Sequence, residues 1–193
     1  MRQALEGIVG AEVLASALAS LPPELRAEYE TITLLSWVRL STSSQVVDAV
    51  AERTGWNPER LYDAAVRRGV EQSYRTFWKV LFHFTNDEAL FARAPVLYAK
   101  TRNIGVLSMY ALGPGHAEAR IVGWPQMNER AIRSVGIGLR VTLEMAGRRD
   151  VRGTWARRSD GATYQFRWRM PVREVGRGAA RRDEGERFNQ RPL

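Results

Sequence analysis

Over the first hundred residues, apolar positions recur at helical spacing. Val9, Val13, Leu14, Ala17, Leu18 and Leu21 keep a period near 3.6, and Pro22-Pro23 ends the run because proline lacks the N–H that a helix interior needs. An acidic segment follows over 24–30, then an apolar stretch over 32–40 whose pattern leaves its state open. Val46, Val47 and Val50 predict a helix capped by Ser43 or Ser44 and closed by Gly55. Asn57-Pro58-Glu59 is a strong helix start: a capping side chain, proline at the first helical position, and an acid in the first turn. The helix it opens sets Tyr62, Val66, Tyr74, Phe77, Leu81 and Phe84 on one face, with Arg67, Glu71, Arg75 and Lys79 on the other. Thr85 and Glu88 have the form of a capping box for a further helix, and Pro95 predicts a break near Ala94.

Beyond Asn103 the pattern changes. Val106–Leu112 and Ala117–Trp124 are short runs joined by Gly113-Pro114-Gly115-His116, which predicts a hairpin. From Gln126 to Ala146 the helical period returns through Ile132, Val135, Gly136, Leu139 and Leu143, with Gly147 as the residue that ends it. Gly136 and Gly138 each cost this helix about 1 kcal/mol against alanine, so close approach to a sheet is expected to repay them. Asp150–Arg158 and Ala162–Met170 predict a second hairpin around Ser159-Asp160-Gly161. In its last strand Ala162, Tyr164, Phe166, Trp168 and Met170 alternate with Thr163, Gln165, Arg167 and Arg169. The expected fold is α+β, a helical half over 1–103 and a strand–strand–helix–strand–strand half over 104–170 whose antiparallel sheet packs on helices. These make a single domain, 1–170, followed by a disordered basic tail, 171–193.

Composition narrows the chemistry. The 193 residues contain no cysteine and only two histidines, His83 and His116. Disulfides, thiolate zinc sites, iron–sulfur clusters and thiol catalysis are thereby excluded. No apolar run has the length a bilayer span needs, and the N-terminus lacks a signal-peptide core, so a cytoplasmic location is expected. The net charge of +8 is uneven: residues 120–170 hold 11 arginines and 4 acids, net +7, against near balance before them.

Catalytic motifs are lacking. Neither histidine has a recognisable nucleophile–base setting: His83 lies between Phe82 and Phe84, and His116 belongs to a turn. Gly113-Pro114-Gly115 leads to no Gly-Lys-Ser/Thr, and Gly136-Ile137-Gly138 lies inside a helix, so neither is a nucleotide loop. The sequence assigns no catalytic, cofactor or metal residues. The aromatic row Tyr164, Phe166, Trp168 reads as core, since it shares a face with Ala162 and Met170. The opposite face carries Arg152, Arg158, Arg167 and Arg169, a candidate surface for an anion or a partner.

The element order is familiar. With Leu21-Pro22-Pro23, Trp37, Tyr98…Gly105, Gly136…Leu143-Glu144…Gly147 and Asp160-Gly161…Tyr164-Gln165-Phe166-Arg167-Trp168, it resembles the fold of four-vinyl-reductase domains and TRAPP transport-complex subunits. It also looks like a paralogous family of myxobacterial proteins related to that fold. The cysteines that would bind metal or carry a lipid in those proteins have no counterpart here, so neither property is implied. The resemblance implies a scaffold for small-molecule sensing or subunit assembly. The expected function is therefore a non-enzymatic interaction or sensory module, without cofactor, acting as a homodimer or with a protein partner. Two alternatives stand beside it: a nucleic-acid or anion-binding protein using the arginine face, and an apolar small-molecule binder.

Overall fold

The computed structural model describes residues 1–32, 39–77 and 86–169, with no side-chain detail at 74–77 or 101. Among the described residues are seven helices and four strands. The helices are α1 (Arg2–Val9), α2 (Ala11–Ala19), α3 (Pro23–Glu30), α4 (Leu40–Thr54), α5 (Pro58–Phe77), α6 (Asp87–Thr101) and α7 (Glu129–Met145). The strands are β1 (Val106–Gly113), β2 (His116–Val122), β3 (Arg149–Arg158) and β4 (Gly161–Arg169). The α+β class and the ββαββ order are as the sequence predicts.

Local signals explain most boundaries. Asn57 Oδ1 accepts from the backbone N–H groups of Glu59 (3.1 Å) and Arg60 (3.0 Å), satisfying two of the donors orphaned at the start of α5. Gly55 ends α4 in the left-handed region at φ 70°. Several details differ from expectation. Gly10, at φ 88°, splits the first helical run into α1 and α2, and the acidic segment after Pro22 is itself helix α3. Helix α4 begins at Leu40 with Arg39 as its N-cap, so Ser43 and Ser44 lie inside it. Helix α6 continues through Pro95 without a break, and its cap is Asn86, whose side chain accepts from the Ala89 N–H at 2.9 Å. The capping-box residue Thr85, the face residues Leu81 and Phe84, His83, Trp37, Met170 and the tail 171–193 lie outside the described residues.

The sheet is antiparallel throughout, in the order β1-β2-β4-β3. Helix α7 connects β2 to β3, and the β3–β4 hairpin places β4 beside β2. The alternation in β4 holds: Ala162, Tyr164, Phe166 and Trp168 are buried. They form one cluster with Leu90 and Phe91 of α6 and with Ile132, Val135 and Leu143 of α7. A second cluster gathers Leu14, Leu18, Val46, Val50, Leu61 and Tyr62 from the N-terminal helices with Ile137 and Val141 of α7. Helix α7 thus lies between two cores and buries a side in each.

The glycines of α7 divide in role. A Cβ on Gly136 would stand 2.8 Å from the Trp155 ring, so the helix approaches β3 only because that atom is missing. A Cβ on Gly138 would meet only Val70 Cγ2, at an ordinary contact distance of 3.9 Å. We expect Gly136→Ala to destabilise by about 1–3 kcal/mol through overpacking. Gly138→Ala should instead stabilise by about 0.4–1 kcal/mol, because it only restricts the unfolded chain. Chemical denaturation of the two variants checks this, and equal effects of the same sign would contradict the assignment.

Candidate functional site

The seam between α7 and the helices α4, α5 and α6 concentrates the internal charge pairing of the described residues. Arg130, near the start of α7, donates to Glu59 of α5 at 2.8 Å and meets Asp48 of α4 at 2.6 Å, while its guanidinium lies 5.4 Å from the Tyr62 ring centre. One turn on, Arg133 pairs with Glu59 at 2.6 Å and with Asp63. Glu144, near the end of α7, takes Arg67 of α5 at 2.6 Å. Arg148, just past α7, pairs with Asp87 at the start of α6. The carboxylate of Asp48, followed by that of Glu59, holds Arg130 firmly in its charged form against the cost of partial burial. Three of the eleven arginines of residues 120–170, Arg130, Arg133 and Arg148, are thus held in internal pairs.

A smaller polar group lies deeper. Arg102, just after α6, donates to Ser134 Oγ of α7 at 3.2 Å. Ser134 also bonds Tyr62, whose hydroxyl is pushed above its ordinary pKa chiefly by burial. Tyr98 donates to the Ile104 carbonyl at 2.8 Å. The Tyr164 hydroxyl is buried without a hydrogen-bond partner among the described residues, and burial raises its pKa. Sequence periodicity placed Tyr62 and Tyr164 on apolar faces but gave no hint that Tyr62 shares Ser134 with Arg102, which lies thirty-two residues before it.

The four candidate arginines share the outer sheet face. Arg152 stands directly opposite Arg167, Arg169 opposite Arg149, and Arg158 opposite Gly161. All four are exposed, on the side away from Tyr164, Phe166 and Trp168. His116 begins β2 on this same face, opposite Arg167.

No protein-family model and no curated protein sequence matches this chain. Solved structures do. An oxygen-binding H-NOX domain related to soluble guanylate cyclases superposes with a TM-score of 0.62 at 13% identity, covering 90% of this chain and 94% of that one. The fold is that of an H-NOX domain. An H-NOX variant from T. tengcongensis gives 0.62 at 13% identity over 88% of this chain and 94% of its own. A structure from work on haem redox potential and porphyrin distortion gives 0.62 at 14% identity, over 90% and 94%.

The resemblance to four-vinyl-reductase domains, TRAPP subunits and the related myxobacterial family is corrected by these matches. Its motif residues report packing: Gly136 admits Trp155, and Tyr164, Phe166 and Trp168 fill the sheet face. The functional reading built on it falls too. The interaction module on that scaffold, the nucleic-acid or anion-binding arginine face and the apolar-ligand alternative find no counterpart among neighbours that include oxygen-binding and haem-related H-NOX structures.

The described residues do not fit haem. Haem iron is held by histidine, cysteine thiolate, methionine or tyrosine. Cysteine is lacking, Met109, Met127 and Met145 pack within or against the two core clusters, and His116 stands on the outer sheet face, opposite Arg167. Tyr98 is committed to Ile104, and the Tyr164 ring is packed against Phe166 inside the sheet-side core. The inner sheet face is filled by the chain itself. Phe91 meets Trp168 edge-on at 6.2 Å between ring centres, Tyr164 stacks on Phe166 at 6.5 Å, and Trp155 lies against Gly136.

Arg130 is the pivot of the seam, joining α4, α5 and α7. Arg130→Ala should cost about 1–3 kcal/mol, since it removes charge-assisted bonds from a partly buried group. In a double-mutant cycle with Glu59→Gln the losses should be non-additive by about 0.5 kcal/mol or more. Additive losses in urea denaturation would show that the two side chains are not coupled.

Proposed function

We propose that this chain is a sensory module that uses the H-NOX fold without haem and relays a change between its helical half and its sheet through α7. The observation that carries this reading is the two-sided burial of α7, with Ile137 and Val141 in one core and Ile132, Val135 and Leu143 in the other. Close-packed interiors switch between discrete arrangements, so a shift of α7 against one core repacks the other. The ion pairs of Arg67, Arg130 and Arg133 tie that helix to α4 and α5, so movement in the helical half reaches it directly. In this reading residues 1–170 act as one unit in the cytoplasm, reporting to a protein partner and catalysing no reaction of their own.

Two measurements test it. Hemin added to the purified protein should give no sharp, stoichiometric Soret band, either in the wild type or in His83→Ala. A one-to-one band lost in His83→Ala would replace this reading with a haem sensor. For the relay, Val141→Ala thins only the helical-side contact of α7. Amide exchange should then quicken in β3 and β4 as well as in α4 and α5. Quickening confined to the helical half would overturn the relay.

A further inference from the structure

The sheet has unlike faces. Helices α6 and α7 cover the inner one, whereas the outer side chains of β3 and β4 other than the half-buried Thr163, and Val106, Tyr110, Leu112, Arg120 and Val122 of β1 and β2, are exposed. Two features of that outer face are costly in an isolated domain. The first is charge. Arg152 faces Arg167 and Arg149 faces Arg169 across the β3–β4 ladder, and like charges directly opposed are destabilising. Among the described residues Asp150 reaches Arg169 at 3.2 Å, but Arg152 and Arg167 have no hydrogen bond or ion pair. By contrast, Arg67, Arg130, Arg133 and Arg148 in the seam all have carboxylate partners. The second is apolar exposure. Val106 is 66% exposed and opposes Val122 at 45%, while Leu112 is 50% exposed farther along the edge strand β1.

The two features lie side by side. The aliphatic strip runs along β1 and β2, and the arginines run along β3 and β4. Strands are about 4.8 Å apart, so β1 and β3 are about 14 Å apart across the sheet, close to the 10–12 Å width of a helix with its side chains. We propose that this outer face docks a protein partner through an amphipathic helix, with an apolar stripe over Val106, Tyr110, Leu112 and Val122 and a row of carboxylates over Arg152, Arg158, Arg167 and Arg169. Charge complementarity selects that occupant, and the aliphatic strip separates it from a nucleic acid, which would leave those side chains uncovered.

The test uses the full chain and three fluorescein-labelled probes. These are a synthetic helix with leucines at i, i+3, i+4 and i+7 and glutamates elsewhere, a peptide of the same composition in shuffled order, and a single-stranded DNA. Anisotropy is read at about 0.15 M salt. The ordered helix should bind on the order of tenfold more tightly than the shuffled one. Arg152→Glu with Arg167→Glu should remove that binding, and Val106→Ser with Leu112→Ser should weaken it on the order of tenfold. Arg167→Glu alone should raise the melting temperature by about 1–3 °C, because it turns a repulsive cross-strand pair into an attractive one. That gain would mark a residue kept for docking at the expense of stability. The proposal is overturned if the ordered helix does not bind, if order makes no difference, if the arginine variants bind like wild type, or if DNA binds more tightly than the helix. Haem binding in the earlier test would leave this result unaffected, so the two readings stand or fall separately.

Discussion

Nearly every feature of this fold depends on one close approach, that of helix α7 to strand β3 across the missing Cβ of Gly136. With the Trp155 ring seated there, the helix descends far enough for Ile132, Val135 and Leu143 to reach the inner sheet face. Its far side is then left at the depth where Ile137 and Val141 complete the helical core. A methyl group at Gly136 would lift the helix off the sheet and tilt the arginines that reach Asp48, Glu59 and Asp63. The seam is therefore assembled from one side by exclusion of volume and from the other by paired charge. Hydrophobic contact supplies most of the free energy, and the ion pairs set the rotation and register of the helix.

Much of the architecture was legible in the residues because local physics dictated it. The period-two row from Ala162 to Trp168 could bury only one face, and Asn57-Pro58 could open only a helix. Where local rules competed, the reading slipped. Pro95 sits within α6 even though its ring forfeits a helix hydrogen bond, because packing of Leu90, Phe91 and Tyr98 against the sheet outweighs that loss. Gly10 split a run whose apolar period gave no sign of the positive φ there.

The site was far less visible, for a different reason. Arg102, Ser134 and Tyr62 are brought together only by tertiary packing, and nothing in their sequence spacing announces a common environment. The arginine excess was plain, yet its division was not. Arg130, Arg133 and Arg148 face carboxylates from α4, α5 and α6, whereas Arg152 and Arg167 face each other. The misplaced family likeness has the same origin. Glycines at tight contacts and aromatics on a buried strand are what a helix-covered four-stranded sheet requires, so they identify a packing problem and not a family.

The strand order has a consequence for how the chain comes together during synthesis. Both hairpins are local, but the central pair joins β2 to β4, with Ala119 beside Tyr164, and so must wait for α7 and β3 to be made. Contacts that span such separations close slowly, because loop entropy is lost before they form. Until β4 arrives, the first hairpin stands as a two-stranded ribbon with an unpaired β2 edge and with Ala117, Ala119 and Ile121 only partly covered. Nascent protein at that stage is a natural client for a chaperone, and the same edge is where aggregation of a stalled or truncated chain would begin.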